Sequence, residues 1–70
     1  MDLDEFGTEF PREIGRVAKR ELAAHGFTGY EDLPRVSAAE LLAIHGIGPK
    51  AVRILGEGLA ERGLSFAASR

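Results

Sequence analysis

Ile44-His45-Gly46-Ile47-Gly48-Pro49-Lys50-Ala51 is the stretch that decides how this chain reads. Two glycines alternate with apolar residues, and a proline and a lysine follow at once. Glycine permits positive φ and lets another backbone approach closely, so Gly46 and Gly48 predict a tight turn. Proline suits the first position of a helix, where its missing N–H leaves no gap in the hydrogen-bond ladder. A helix is therefore expected to start at Pro49. Its first amides have no intrahelical partner and carry the positive end of the helix dipole. Such a cluster suits phosphate, and Lys50 adds a mobile cation at the same place.

Downstream, Val52, Leu55 and Leu59 recur at i, i+3 and i+7, the stripe of a helix running from Pro49 to about Arg62. Val52 and Ile54 cannot share so narrow a stripe, so one of them is expected nearer the surface, where it offers a small dimer contact. Gly56 and Gly58 each weaken a helix by roughly 1 kcal/mol relative to alanine, which points to close packing on that side. Gly63 is the expected cap, with Leu64 and Phe66 folding back onto the core and residues 67–70 fraying.

Upstream, Ser37-Ala38-Ala39-Glu40 has the spacing of a capping box ahead of a two-turn helix with Leu41, Leu42 and Ile44 as its apolar part. Pro34 is expected to stop a single turn over Thr28 to Leu33. Ile14, Ala18 and Leu22, with Val17 beside them, predict a helix from about Arg12 to Ala24. His25 and Gly26 cap it. Phe10-Pro11 marks the entry to the domain, because the residue before proline avoids the helical region. Residues 1–9 read as an acidic flexible leader, a tail or a frayed first turn, from which Leu3 and Phe6 can still pack onto the domain.

An internal echo orders these pieces. Ile14-Gly15-Arg16-Val17-Ala18 matches Ile47-Gly48-Pro49-Lys50-Ala51 at an offset of 33, and Ala24-His25-Gly26-Phe27 matches Glu61-Arg62-Gly63-Leu64 at an offset of 37. The difference of four residues, about one helical turn, predicts a longer helix in the second copy.

Composition narrows the classes. The 70 residues make one small domain, 44% hydrophobic and 29% charged, as in globular proteins. With no cysteine, disulfides and thiolate metal sites are excluded, and two histidines 20 residues apart make poor zinc ligands. No nucleophilic Ser-His-acid set, isolated carboxylate pair or Walker-type loop supports catalysis, so neither an enzyme nor a cofactor is expected. No apolar run is long enough to span a bilayer, and the acidic start is unlike a signal peptide; a cytoplasmic protein is expected. The net charge of −2 hides an asymmetry: residues 1–9 hold four acids and no base, leaving nine bases and seven acids, or +2, in 10–70.

Taken with their order, these stretches resemble a tandem pair of helix-hairpin-helix motifs, the first degenerate, covering residues 10–66. The nearest likeness is to small stand-alone bacterial helix-hairpin-helix proteins. It rests on Phe10-Pro11-Arg12-Glu13-Ile14-Gly15, His45-Gly46-Ile47-Gly48-Pro49-Lys50-Ala51 and Ala60-Glu61-Arg62-Gly63-Leu64-Ser65-Phe66. The order of elements is also similar to the C-terminal domain of the bacterial RNA polymerase alpha subunit. The resemblance implies an all-α, SAM-like fold of four to five short helices that grips the minor-groove backbone of double-stranded DNA weakly, without reading sequence. A nucleoid-associated location would follow.

Carried over by position, Gly46, Ile47, Gly48, Lys50 and Arg53 form the second hairpin's phosphate site, and Gly15, Arg16 and Lys19 the first's. Two departures qualify the first: Arg12-Glu13 stands where stronger motifs place glycine, and Val17 stands where the polymerase domain has a DNA-contacting arginine. Glu13 and Glu21 also allow Arg16, Lys19 and Arg20 to be a salt-bridged, solvated edge. His45 is placed either to donate to phosphate or to cap the preceding helix. Tyr30 and the four phenylalanines read as core, since none is spaced along a basic strip. The alternative is a protein-interaction module of the transcription or repair machinery. Weak single-domain affinity also leaves room for a homodimer.

Overall fold

The stripe of Val52, Leu55 and Leu59 builds the centre of the molecule. In the computed structural model, which describes residues 4–68, these side chains are buried on α3 (Pro49–Glu61), the longest helix. Three elements pack on α3: a 3-10 turn at Arg12–Ile14, a 3-10 helix at Tyr30–Arg35, and α2 (Ala38–Leu42). The remaining helix, α1 (Arg16–Ala24), follows the first 3-10 turn and contributes Ala18 and Leu22 to the core. All regular structure among the described residues is helical except one isolated parallel bridge between Ser37 and Ala67. The expectations for Leu3 and for residues 69 and 70 lie outside the described residues.

Leu22, Leu33, Leu41, Leu55 and Leu59 are fully buried, joined by Phe10, Ile14, Tyr30, Val36 and Ile47. Phe10 meets Tyr30 edge-on, ring centroids 5.3 Å apart at 85°. The backbone of Gly58 lies against the same tyrosine: a Cβ there would come within 2.6 Å of the ring. Gly56 faces only Phe66, at an ordinary 3.4 Å, so the close packing expected from both glycines occurs at Gly58 alone. On α3, Val52 is buried and Ile54 half-buried at the core's edge.

Capping chemistry sets the helix boundaries. The Ser37 hydroxyl accepts from the Glu40 amide at 3.0 Å while the Glu40 carboxylate accepts from the Ser37 amide at 2.8 Å, completing the expected box on α2. At the end of α1, Phe27 N–H donates to Leu22 and Gly26 N–H to Ala23; at the end of α3, Leu64 N–H donates to Leu59 and Gly63 N–H to Ala60. These are two copies of one glycine-capped ending, with Gly26 at φ 85° and Gly63 at φ 73°. Both sit where the sequence echo places them. With nine residues in α1 and thirteen in α3, the helices differ by the four residues the echo requires.

Three expectations need correction. The segment 12–24 is not one helix: Gly15, at φ 93°, separates the 3-10 turn from α1, although Ile14 still lies on the same side as Ala18 and Leu22. Pro34 does not stop its element but lies inside the 3-10 helix, where the ring removes a single i→i−3 donor and the chain continues to Arg35. Leu42 is 45% exposed instead of apolar lining, because a five-residue helix turns Leu41 inward and its neighbour away.

Candidate functional site

The segment joining α2 to α3 turns at Gly46, whose φ of 96° is a left-handed value that other residues avoid. It also abuts α1: a Cβ on Gly46 would lie 2.8 Å from Val17 Cγ1 and 3.3 Å from Glu21 Cγ. Gly46 is thus doubly required by the fold. Ile47 serves the fold too, with its side chain buried and its N–H donated to the Ile44 carbonyl, so no part of its side chain is available to a ligand.

Gly48 is different. Its φ of −103° and ψ of 177° are ordinary extended values, not the positive φ allowed for in the sequence, and a Cβ there would meet nothing within 4 Å. It is the N-cap of α3, and no side chain caps that end. Among the described residues, the amides of Gly48, Lys50 and Ala51 have no acceptor; Val52 N–H is the first to bond, to the Gly48 carbonyl. Gly48, Pro49 and Lys50 are all exposed, and Lys50 has no ion pair among the described residues. Arg53, one turn on, is exposed but shared with Glu57 at 3.5 Å. His45 is exposed, and its ring bonds to nothing among the described residues, so it does not cap α2. The ring of His25, by contrast, lies 3.3 Å from the Glu21 carbonyl at the end of α1, as expected of a cap.

The corresponding cluster at the start of α1 has the opposite character. Gly15 is the N-cap there, again without a side-chain cap. Arg16 pairs through Nε with Glu5, its guanidinium 5.7 Å from the centroid of the Phe6 ring. Lys19 pairs with Asp4 at 3.2 Å, both side chains mostly buried. Asp4 is itself fixed, its Oδ1 accepting from the amides of Phe6 (2.9 Å) and Thr8 (3.0 Å) and its Oδ2 from the Thr8 hydroxyl. Partial burial acts to raise the Asp4 carboxyl, but the Thr8 hydroxyl, these amides and Lys19 together hold it far below the usual carboxylate range. Glu9 reaches further, accepting from the Tyr30 amide at 2.8 Å.

The two clusters are neighbours. Val17, 51% exposed, touches Gly46 and also walls a groove with Phe6, Arg16 and Arg20. A second groove, of Asp4, Glu5, Phe6, Arg12, Arg16 and Lys19, shares Phe6 and Arg16 with it. No spacing rule pairs Arg16 with a residue eleven positions away or Lys19 with one fifteen away; only the acid-rich composition of 1–9 hinted at it. Among the described residues no cluster of three or more His, Asp or Glu side chains is placed to hold a metal ion, and no helix is long and apolar enough to cross a membrane. No family model, curated protein or solved structure matches the chain.

Proposed function

We propose that this protein is a tandem helix-hairpin-helix module that binds double-stranded DNA through its backbone, without reading base edges. One observation carries the reading. Gly48 occupies the N-cap of the longest helix, yet neither its dihedral angles nor the space around it calls for glycine. What its missing side chain leaves is an uncapped helix start, with unbonded amides on the exposed Gly48 and Lys50 and on the buried Ala51, beside Lys50, a cation with no ion pair among the described residues.

In this mechanism a phosphate oxygen accepts from the amides at the start of α3, where the dipole favours negative charge. Lys50 neutralises the phosphate, and Arg53 assists as it leaves Glu57. Such contacts position the protein on the duplex and carry no sequence information, so any preference comes from groove shape. Two to four phosphate contacts imply a plot of log affinity against log salt with a slope of roughly −2 to −4.

A salt series of binding to a short labelled duplex tests this. Lys50→Glu should weaken binding at every salt concentration and flatten the slope by about 0.9 or more. An unchanged affinity removes α3 from the interface. The second reading, docking of a protein partner, is favoured by the exposure of Leu42 at 45% and gains if no duplex binding occurs at low salt.

A further inference from the structure

We infer that the acidic segment 4–9 is a clasp on the α1 cations, and that its outer part, Glu5 with Phe6, is a releasable latch over Arg16 which DNA displaces. The inference rests on the DNA-binding reading and adds regulation to it.

The clasp has a fixed part and a loose part. In the fixed part Asp4 closes a turn on itself: its N–H donates to the Thr8 carbonyl at 3.0 Å and its carbonyl accepts from Gly7 at 2.9 Å. Its carboxylate holds the Phe6 and Thr8 amides and Lys19. Thr8 is 1% exposed, and Glu9 N–H bonds to the Thr28 carbonyl, so the turn is tied to the domain on both sides. Lys19 and Asp4 keep only 12% and 18% of their side chains in solvent, which shelters this pair from salt.

The loose part is built otherwise. Glu5 and Arg16 meet with 53% and 77% of their side chains exposed. Exposed ion pairs contribute little and are screened by salt, so a polyanion competes with Glu5 on favourable terms. A carboxylate on a guanidinium occupies the place a phosphate would take, because both present oxygens to the same N–H donors. Phe6 and Arg16 also form the wall common to the two grooves. Swinging the Glu5 and Phe6 side chains aside, with the Phe6 amide still on Asp4, joins them into one channel carrying Arg12, Arg16 and Arg20 (the last 3.9 Å from Glu21), with the paired Lys19 and Asp4 in its wall, next to Val17 and the Gly46 turn.

The experiment measures duplex affinity against salt for the full chain and for Glu5→Gln, Arg16→Gln, the double variant, Lys50→Glu, and Glu31→Gln. Glu31 is exposed and outside every ion pair among the described residues, which makes its substitution a charge-matched control. Glu5→Gln should bind roughly three- to tenfold more tightly at low salt than the Glu31→Gln control, since the exposed Glu5–Arg16 pair no longer has to be broken. Arg16→Gln should cost more affinity in the Glu5→Gln chain than in the wild-type chain. Slow amide exchange at Phe6 and Thr8 in Glu5→Gln shows that the Asp4 turn, and hence the fold there, persists. Equal affinity of Glu5→Gln and Glu31→Gln, while Lys50→Glu still weakens binding, overturns the latch alone. Absence of binding by every chain, Glu5→Gln included, overturns the DNA reading and the latch together.

Discussion

Gly48→Asp should make the protein more stable and, on the proposed reading, a poorer DNA binder, and those opposite signs separate structure from function at one residue. The backbone at Gly48, φ −103° and ψ 177°, is the extended conformation an N-cap adopts, and the new Cβ enters open space. Three effects then act in one direction. The carboxylate accepts from a first-turn amide, a gain of a few tenths of a kcal/mol over glycine at the cap. Its charge complements the helix dipole by about 0.3–1 kcal/mol. Replacing glycine also restricts the unfolded chain, by about 0.4–1 kcal/mol. Together these amount to about 1–2 kcal/mol, and each kcal/mol raises Tm by roughly 4–8 °C in a domain of this size. The same carboxylate sits where phosphate would bind, so duplex affinity should fall about tenfold or more. Thermal melts followed by far-UV circular dichroism, with fluorescence anisotropy on a labelled duplex, measure both. A lower Tm would mean that the first-turn amides are not free to meet a capping carboxylate. A higher Tm with unchanged affinity would refute their role in binding.

Four further outcomes follow from the same geometry. Gly46→Ala should destabilise by about 1–3 kcal/mol in urea titrations, from its positive φ together with the contact on Val17. Gly56→Ala should stabilise α3 by up to about 1 kcal/mol, whereas Gly58→Ala should be destabilising by about 1–3 kcal/mol because its methyl group meets the Tyr30 ring; equal effects would contradict the packing on that face. Leu55→Ala should cost about 2–5 kcal/mol and leave a chain largely unfolded on warming, read by calorimetry. For pH, the Asp4 carboxyl lies far below its unfolded value of 3.8, so the stability it supplies is complete above about pH 4 and is lost as pH falls towards its folded value. Asp4→Asn should be less stable at neutral pH and show a smaller loss from pH 5 to pH 2 in the urea midpoint.

Local chemistry was legible in the chain and long-range pairing was not. The Ser37–Glu40 box, both glycine endings and the α3 stripe are interactions among residues a turn or two apart, so the spacing alone carries them. The break at Gly15 escaped because Ile14, Ala18 and Leu22 keep one side whether the chain is a single helix or a 3-10 turn followed by α1. Pro34 misled because its usual effect on α-helices is weaker in a 3-10 helix. At the site, the place of Lys50 at the start of α3 was readable from the Gly-Pro-Lys order, whereas its lack of an ion pair among the described residues was not. That Gly46 abuts Val17, that Ile47 is buried with its amide occupied, and that Asp4 and Glu5 cover Lys19 and Arg16 required the tertiary arrangement.

The treatment of helix starts within this one chain bears on how Gly48 should be understood. At α2, five residues long, the chain places serine and glutamate in a complete box. At α3, thirteen residues long and packed at the centre of the fold, it places glycine and no side-chain cap. A cap is typically worth about 1 kcal/mol, so a site under selection for stability alone would be expected to carry one. The α1 start is uncapped as well, and there the adjacent cations are met by carboxylates from the chain's own first turn. No carboxylate of the described residues meets Lys50. On the proposed reading this contrast has one cause: both starts receive anions, one from the protein until the latch opens, the other from DNA. If Gly48→Asp proves both more stable and fully competent to bind, the contrast has no functional meaning and α3 is simply a helix whose first turn was left bare.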